Sequence, residues 1–139
     1  MKRTILILMA ITLTTGVFAQ KQTEMNDNSN KLAVLWTSGD PDVAEKMVFM
    51  YTLNAKRNDW FDEVVLIIWG PSAKLAVENE MIRDYIKTMQ DAGVKTEACL
   101  YCAKKYDVHE KLAGMGVDVK GMGVPLSDYL KEGWKVLSL

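Results

Sequence analysis

Thr96-Glu97-Ala98-Cys99-Leu100-Tyr101-Cys102-Ala103-Lys104-Lys105-Tyr106 reads as a strand that runs straight into a helix. Ahead of it, Asp91-Ala92-Gly93-Val94 has the form of a helix stop, with glycine at the left-handed cap position. Lys95 to Ala98 alternates polar and small residues over one short strand, and Leu100 to Tyr106 is rich in helix formers. Cys99 is therefore expected at the carboxyl end of a strand, with Cys102 one helical turn later on the same face. These are the two cysteines of the chain, spaced C-x-x-C. A helix N-terminus favours negative charge, so a thiolate at Cys99 should be stabilised and reactive. Lys104 and Lys105 would add to this if they turned inward.

The same strand-to-helix alternation repeats on either side. Glu63 to Trp69 (EVVLIIW) is continuous and β-branched, as a central strand covered on both faces would be. Gly70-Pro71-Ser72 breaks it and opens a helical region in which Leu75 and Ala76 lead to a stripe of Ile82, Tyr85, Ile86 and Met89. Earlier, Lys31 to Trp36 (KLAVLW) reads as a buried strand. Asp40-Pro41 then starts a helix with Val43, Ala44, Met47, Val48, Tyr51 and Ala55 on its apolar face, fading near Arg57-Asn58-Asp59. Later, Asp107 is expected to cap a short helix carrying Leu112 and stopped by Gly114. Val117 to Val119 is a weak strand and Gly121-Met122-Gly123 a loop. Pro125 to Glu132 is a helix capped by Gly133, and Trp134 to Leu137 (WKVL) a closing edge strand.

Five such alternations predict a single-domain α/β fold. It is a three-layer sandwich with a five-stranded, mostly parallel sheet and helices on both faces. In such sheets the loops after the strands share one rim, where ligands bind. That rim would gather Thr37 to Asp40, Gly70 to Ser72, Cys99 to Cys102 and Gly121 to Val124.

The first 19 residues read as a cleavable signal peptide. Lys2-Arg3 form a basic start, Ile5 to Leu13 an apolar run too short to span a membrane, and Val17-Phe18-Ala19 a small-x-small cleavage site. Residues 20–30 are a polar, Asn-rich disordered lead-in, and 31–139 the domain. The expected location is periplasmic or secreted, without stable membrane insertion. Loss of Lys2 and Arg3 moves the net charge from −1 to −3, with 15 basic against 18 acidic residues. No basic run remains to bind nucleic acid. A disulfide across so few residues would crosslink little of the unfolded chain, which favours redox or sulfur chemistry over stapling.

A thiolate at Cys99 can attack a persulfide or disulfide sulfur, and Cys102 can release the product as an internal disulfide. The plainer reading is a buried or inert pair. Zinc wants three or four protein ligands, and His109, the one histidine to join Cys99 and Cys102, lies beside Asp107 and Glu110 as a solvated surface residue would; neither metal nor cofactor is expected. Ser72 lacks the G-x-S-x-G setting of a hydrolase, and Gly121-x-Gly123 lacks the rest of a dinucleotide fingerprint. Trp36 and Trp69 could wall the rim or finish the core. The scattered methionines favour core filling over soft-metal binding.

The segments KLAVLWTSGDPDVAEKMVFM, DEVVLIIWGPSAKLA, DAGVKTEACLYCAKKYDV and LSDYLKEGWKVL, in that order, resemble the DsrE/DsrF-like family, which includes TusD-related sulfur-relay subunits. The likeness covers Lys31 to Leu139. It implies a five-stranded sheet between helices, assembly as a homo-oligomer (trimer or hexamer), and a sulfur-carrying cysteine at the position of Cys99. It also implies a partner that gives or takes sulfur, either a protein or a small sulfur species. The chain departs from the relay branch in having Cys102, Lys104-Lys105-Tyr106 and Asp107 where that branch runs through small residues to Arg-Gly. It carries an export signal, whereas the tRNA-thiolating relay is cytoplasmic. A thioredoxin would place its C-x-x-C earlier, usually after a tryptophan. The resulting expectation is an exported protein in which Cys99 is the nucleophile or persulfide carrier and Cys102 the resolving thiol. The alternative is a non-catalytic oligomeric binding module with an inert cysteine pair.

Overall fold

The computed structural model describes residues 30–139; the signal peptide read at 1–19, and the lead-in as far as residue 29, lie outside the described residues. The five strands are β1 (Lys31–Trp36), β2 (Glu63–Ile68), β3 (Lys95–Cys99), β4 (Asp118–Lys120) and β5 (Lys135–Ser138). Every pairing is parallel and the order across the sheet is β4-β3-β2-β1-β5. The fold is thus the expected single-domain α/β sheet with helices. β2 sits in the middle, and Val64 through Ile68 are each at most 1 % exposed. This continuous burial is why its sequence does not alternate.

α1 (Pro41–Val43) begins as its sequence dictates: the Asp40 carboxylate accepts the N–H groups of Asp42 at 2.8 Å and Val43 at 3.4 Å. It continues through a π-helical segment (Ala44–Phe49) into α2 (Met50–Arg57). The stretch after Gly70 is two helices, α3 (Ser72–Glu78) and α4 (Glu80–Asp91). Asn79 divides them in an extended conformation, and its side chain accepts Ile82 N–H at 3.2 Å, capping the second helix. α5 (Leu100–Lys105) follows β3, and α6 (His109–Gly114) comes next. Asp107 does not cap α6 as expected. It adopts a left-handed φ of 55°, and Val108, which has no side-chain acceptor, takes the cap position. α7 (Gly123–Lys131) precedes β5, which pairs with β1 on one side only and is an edge strand as read.

The two layers of helix are unequal. Residues of α2 to α6 and the π segment pack with Leu32, Val34, Trp36, Val64, Leu66, Ile68 and Ala98 on one face of the sheet. The other face, carrying Ala33, Val65, Ile67 and Cys99, is met by α7 through Leu126 and Tyr129, with Cys102 of α5 at its margin. Not one residue of α7 is buried. The cause is strand order. β1 to β4 advance in one direction, so right-handed crossovers put their helices on one side, and only the return to β5 reverses the side.

Charges cross the amino-terminal edge of the sheet. Glu63 bridges Lys31 and Lys95, at 2.6 Å to each. Hydrogen bonds from Lys31 and then Lys95 hold its carboxyl down at about 2, against an ordinary 4.5. A depressed carboxyl contributes stability above its unfolded value, and that contribution is lost as pH falls from about 4.5 toward 2. With the side chains partly exposed, Glu63→Gln should cost only ~1 kcal/mol at neutral pH. Urea midpoints of the two proteins should converge as pH drops through this window, and a constant gap would discount the bridges.

Candidate functional site

Cys99 ends β3 and is the N-cap residue of α5, with φ −70° and ψ 111° and no side-chain capping bond. Side chains alternate along a strand, so Cys99 shares a face with Glu97, the face under α7. It is 5 % exposed and packs with Val65, Ile67 and Met122. Cys102, one turn on, is half-buried at the seam between the two cores. Both thiols are free, and the Cys102 thiol interacts with the Cys99 sulfur. Burial pushes the Cys102 thiol up, a hydrogen bond from the Gly70 backbone N–H pulls part of that back, and the neighbouring Cys99 sulfur raises it again. Cys102 is therefore held as the neutral thiol and can donate its proton toward Cys99. The sequence does bring the pair together. Access favours Cys102, whereas Cys99 holds the strand-to-helix junction itself.

Gly70 reaches the pair because its loop is pinned. Its φ of 70° suits glycine, and the fully buried Ser72 staples the ends of β1 and β2. The Ser72 hydroxyl accepts the Trp69 N–H at 3.0 Å and donates to the Trp36 carbonyl at 2.7 Å. The amide on Cys102 thus comes from the neighbouring rim loop. α5 has only six residues, and Lys104 and Lys105 do not turn toward the sulfurs. Both are exposed, with Lys105 Nζ 5.6 Å from the centre of the Tyr101 ring. Trp36 is core rather than rim wall, fully buried and edge-on to Phe49 at 5.0 Å.

Sequence reasoning did not find a second group of residues on the Cys99 face. Glu97 is 7 % exposed, and its Oε1 accepts from Lys120 Nζ at 2.8 Å and Tyr129 OH at 3.0 Å. Its Oε2 is buried with no partner. Burial and the Glu97 charge push the Tyr129 hydroxyl up to about 12. Burial lowers Lys120, but hydrogen bonds to Asp118 and Glu97 outweigh it and the ammonium is kept charged. Lys120 stands opposite Cys99 in the β3–β4 register. The period of two in Lys95-Thr96-Glu97-Ala98-Cys99 already puts Glu97 beside the cysteine; no local signal announces Lys120 and Tyr129.

Elsewhere on the rim, a groove of about 310 Å³ is lined by Gly39, Pro71, Lys74, Glu78 and Tyr106. A wider hollow of about 690 Å³ lies between α2 and α4 and includes neither cysteine, so its size does not make it the reactive site. Among the described residues no set of three His, Cys, Asp or Glu is placed to hold a metal ion, and no helix is long and apolar enough to cross a membrane.

No curated protein matches the chain. A solved structure of a conserved protein of unknown function from Bacteroides thetaiotaomicron is similar: 36 % identical, with a TM-score of 0.76, covering 79 % of this chain and 95 % of that one. The profile of the DsrE/DsrF-like family matches residues 30–139, which is the whole of the described sheet and its helices, cysteine junction included. With that match and this architecture, the chain belongs to the DsrE/DsrF-like family.

Proposed function

We propose that this protein carries sulfane sulfur, with Cys99 as nucleophile and persulfide carrier and Cys102 as resolving thiol. Membership of the family points to sulfur-relay-related work. The observation that carries the finer reading is the pairing of two free thiols at the strand-to-helix junction, with burial keeping the Cys102 thiol neutral. In the loading step the Cys99 thiolate attacks the outer sulfur of a polysulfide or hydropersulfide. The new S–S bond forms at Cys99, the donor's S–S bond breaks, and the donor leaves as a thiolate or shorter polysulfide. In release, an acceptor thiolate takes the outer sulfur and restores Cys99. Alternatively, Cys102 loses its proton and attacks Cys99 Sγ, expelling hydrosulfide and closing the Cys99–Cys102 disulfide. The sulfane sulfur is then reduced by the two thiols, and an external dithiol must reopen the bridge.

Export through the leader at 1–19, a periplasmic or secreted location and assembly as a trimer or hexamer belong to the same proposal. The N-terminal mass of protein recovered from an expressing cell, and light scattering of the purified protein, test them. Nucleic acid has no part in it.

The direct test is intact mass with differential alkylation before and after polysulfide treatment. A gain of sulfur localised to Cys99 is the expected result. The burial of Cys99 favours a second reading, a binding module with an inert pair. Cysteines that neither load sulfur nor alkylate in the folded protein would establish that reading instead.

A further inference from the structure

A carrier cysteine that is 5 % exposed needs a way out. The inference drawn from this rests on the function proposed above and concerns how the same site is opened. Met122, itself 1 % exposed, packs in the small core that holds Cys99. It lies two residues beyond Lys120, the register partner of Cys99, and so stands over the carboxyl end of β3. Met122 is flanked by Gly121 and Gly123. A Cβ at either glycine would meet nothing within 4 Å, and neither has a left-handed φ. Neither space nor backbone conformation therefore requires glycine there, and what the pair supplies is freedom of movement.

The helix that follows is lightly held. Met122 is its N-cap residue and provides no side-chain capping bond, and Pro125 brings no N–H to the first turn. Val124 and Leu130 are 70 % and 59 % exposed, and α7 buries no residue. Its side-chain ties to the rest of the domain run through Leu126, the Tyr129 ring against Trp134 at 4.5 Å, and the Tyr129 hydroxyl on Glu97 at 3.0 Å. Segments with little burial and exposed hydrogen bonds are the ones that open locally without global unfolding.

We propose that Met122 and the first turn of α7 form a gate over Cys99, hinged at Gly121 and Gly123 and latched by the Tyr129–Glu97 hydrogen bond. In the closed state Cys99 is shielded and a persulfide on it would be protected from solvent reductants. In the open state Met122 swings away with the start of α7, and the sulfur is presented at the rim. Tyr129 is a positioning residue for the gate and touches neither cysteine in this scheme.

The test is the alkylation rate of Cys99 by iodoacetamide in full-length Cys102→Ser protein, across urea concentrations below the unfolding transition. A gate gives a rate that is flat in urea. Tyr129→Phe should raise it roughly tenfold, by loss of one hydrogen bond to a charged group. Gly121→Ala with Gly123→Ala should lower it while leaving the melting temperature in place. Leu112→Ala, a cavity in the opposite core, should destabilise the protein without moving the urea-independent rate. A rate that climbs with urea in parallel with global unfolding, or one indifferent to Tyr129→Phe and to the paired alanines, overturns the gate. Sulfur uptake from polysulfide separates the two proposals. Uptake with labelling that follows only global unfolding sinks the gate and keeps the carrier. Gated labelling without any uptake keeps the gate and sinks the carrier.

Discussion

Cys99→Ser is expected to remove sulfur uptake altogether, while Cys102→Ser keeps uptake and prolongs the life of the loaded state at least ~100-fold. The asymmetry follows from how the two thiols are placed. A serine hydroxyl at 99 has neither the acidity nor the sulfur affinity to attack a persulfide, and burial still pushes the Cys102 thiol up. Removing Cys102 takes away an attacking group already in contact with Cys99. Intramolecular attack from such a position has an effective concentration many orders of magnitude above that of an outside thiol, ~10⁵ M or more in well-oriented cases. Release must then wait for an external acceptor. Time-resolved intact mass after a polysulfide pulse measures both effects. Equal lifetimes in wild type and Cys102→Ser would mean that Cys102 does not resolve. Sulfur accumulating on Cys102 in the Cys99→Ser protein would reverse the roles, as the greater exposure of Cys102 would favour.

The second large effect is on stability. Trp36→Ala should cost ~3–5 kcal/mol, because it empties a fully buried site at the end of β1 and removes the edge-on contact with Phe49. Against a total of ~5–15 kcal/mol for a domain of this kind, that is a large fraction. Trp36→Phe should cost far less, ~1–2 kcal/mol, for a specific reason. The indole Nε1 of Trp36 is buried without a hydrogen-bond partner, so phenylalanine gives up ring volume but also removes an unsatisfied donor. Urea-unfolding midpoints compare the three proteins. If phenylalanine proved as damaging as alanine, the indole nitrogen would have to be engaged after all.

The alternation of strands and helices was readable because each element is strongly patterned. KLAVLW becomes β1 at the residues read, EVVLIIW becomes β2 but stops one residue short at Ile68, and Asp40-Pro41 starts its helix with the cap its chemistry calls for. Where the reading slipped, a local rule met a competing one. Asn79 interrupts an otherwise helical stripe because its side chain caps better than it continues. Asp107 turns left-handed and leaves the cap to Val108. The cysteine junction was legible from a strand cue followed by helix formers. Its electrostatics were not. The amide that reaches Cys102 comes from Gly70, a residue 32 positions upstream that only the β2–β3 pairing brings near. The Glu97–Lys120–Tyr129 cluster likewise depends on strand register and on which side α7 returns. Both are properties of the whole sheet.

The pairing of Leu139 has a practical consequence for handling the protein. Its carbonyl accepts the Thr37 N–H at 2.7 Å and the Thr37 hydroxyl at 3.0 Å, and its own N–H bonds Leu35 at 2.9 Å. The Thr37 carbonyl in turn lies close to Gly70, 3.9 Å from where a Cβ on that residue would sit, and Gly70 supplies the amide on Cys102. A purification tag or reporter appended after Leu139 would emerge on the reactive rim, three contacts from the thiols. One placed before Lys31 would leave from the opposite edge of the sheet, ~20 Å away at the rise of a six-residue strand. Surface immobilisation for partner screening should therefore grip the protein ahead of β1, leaving the cysteine edge facing solution.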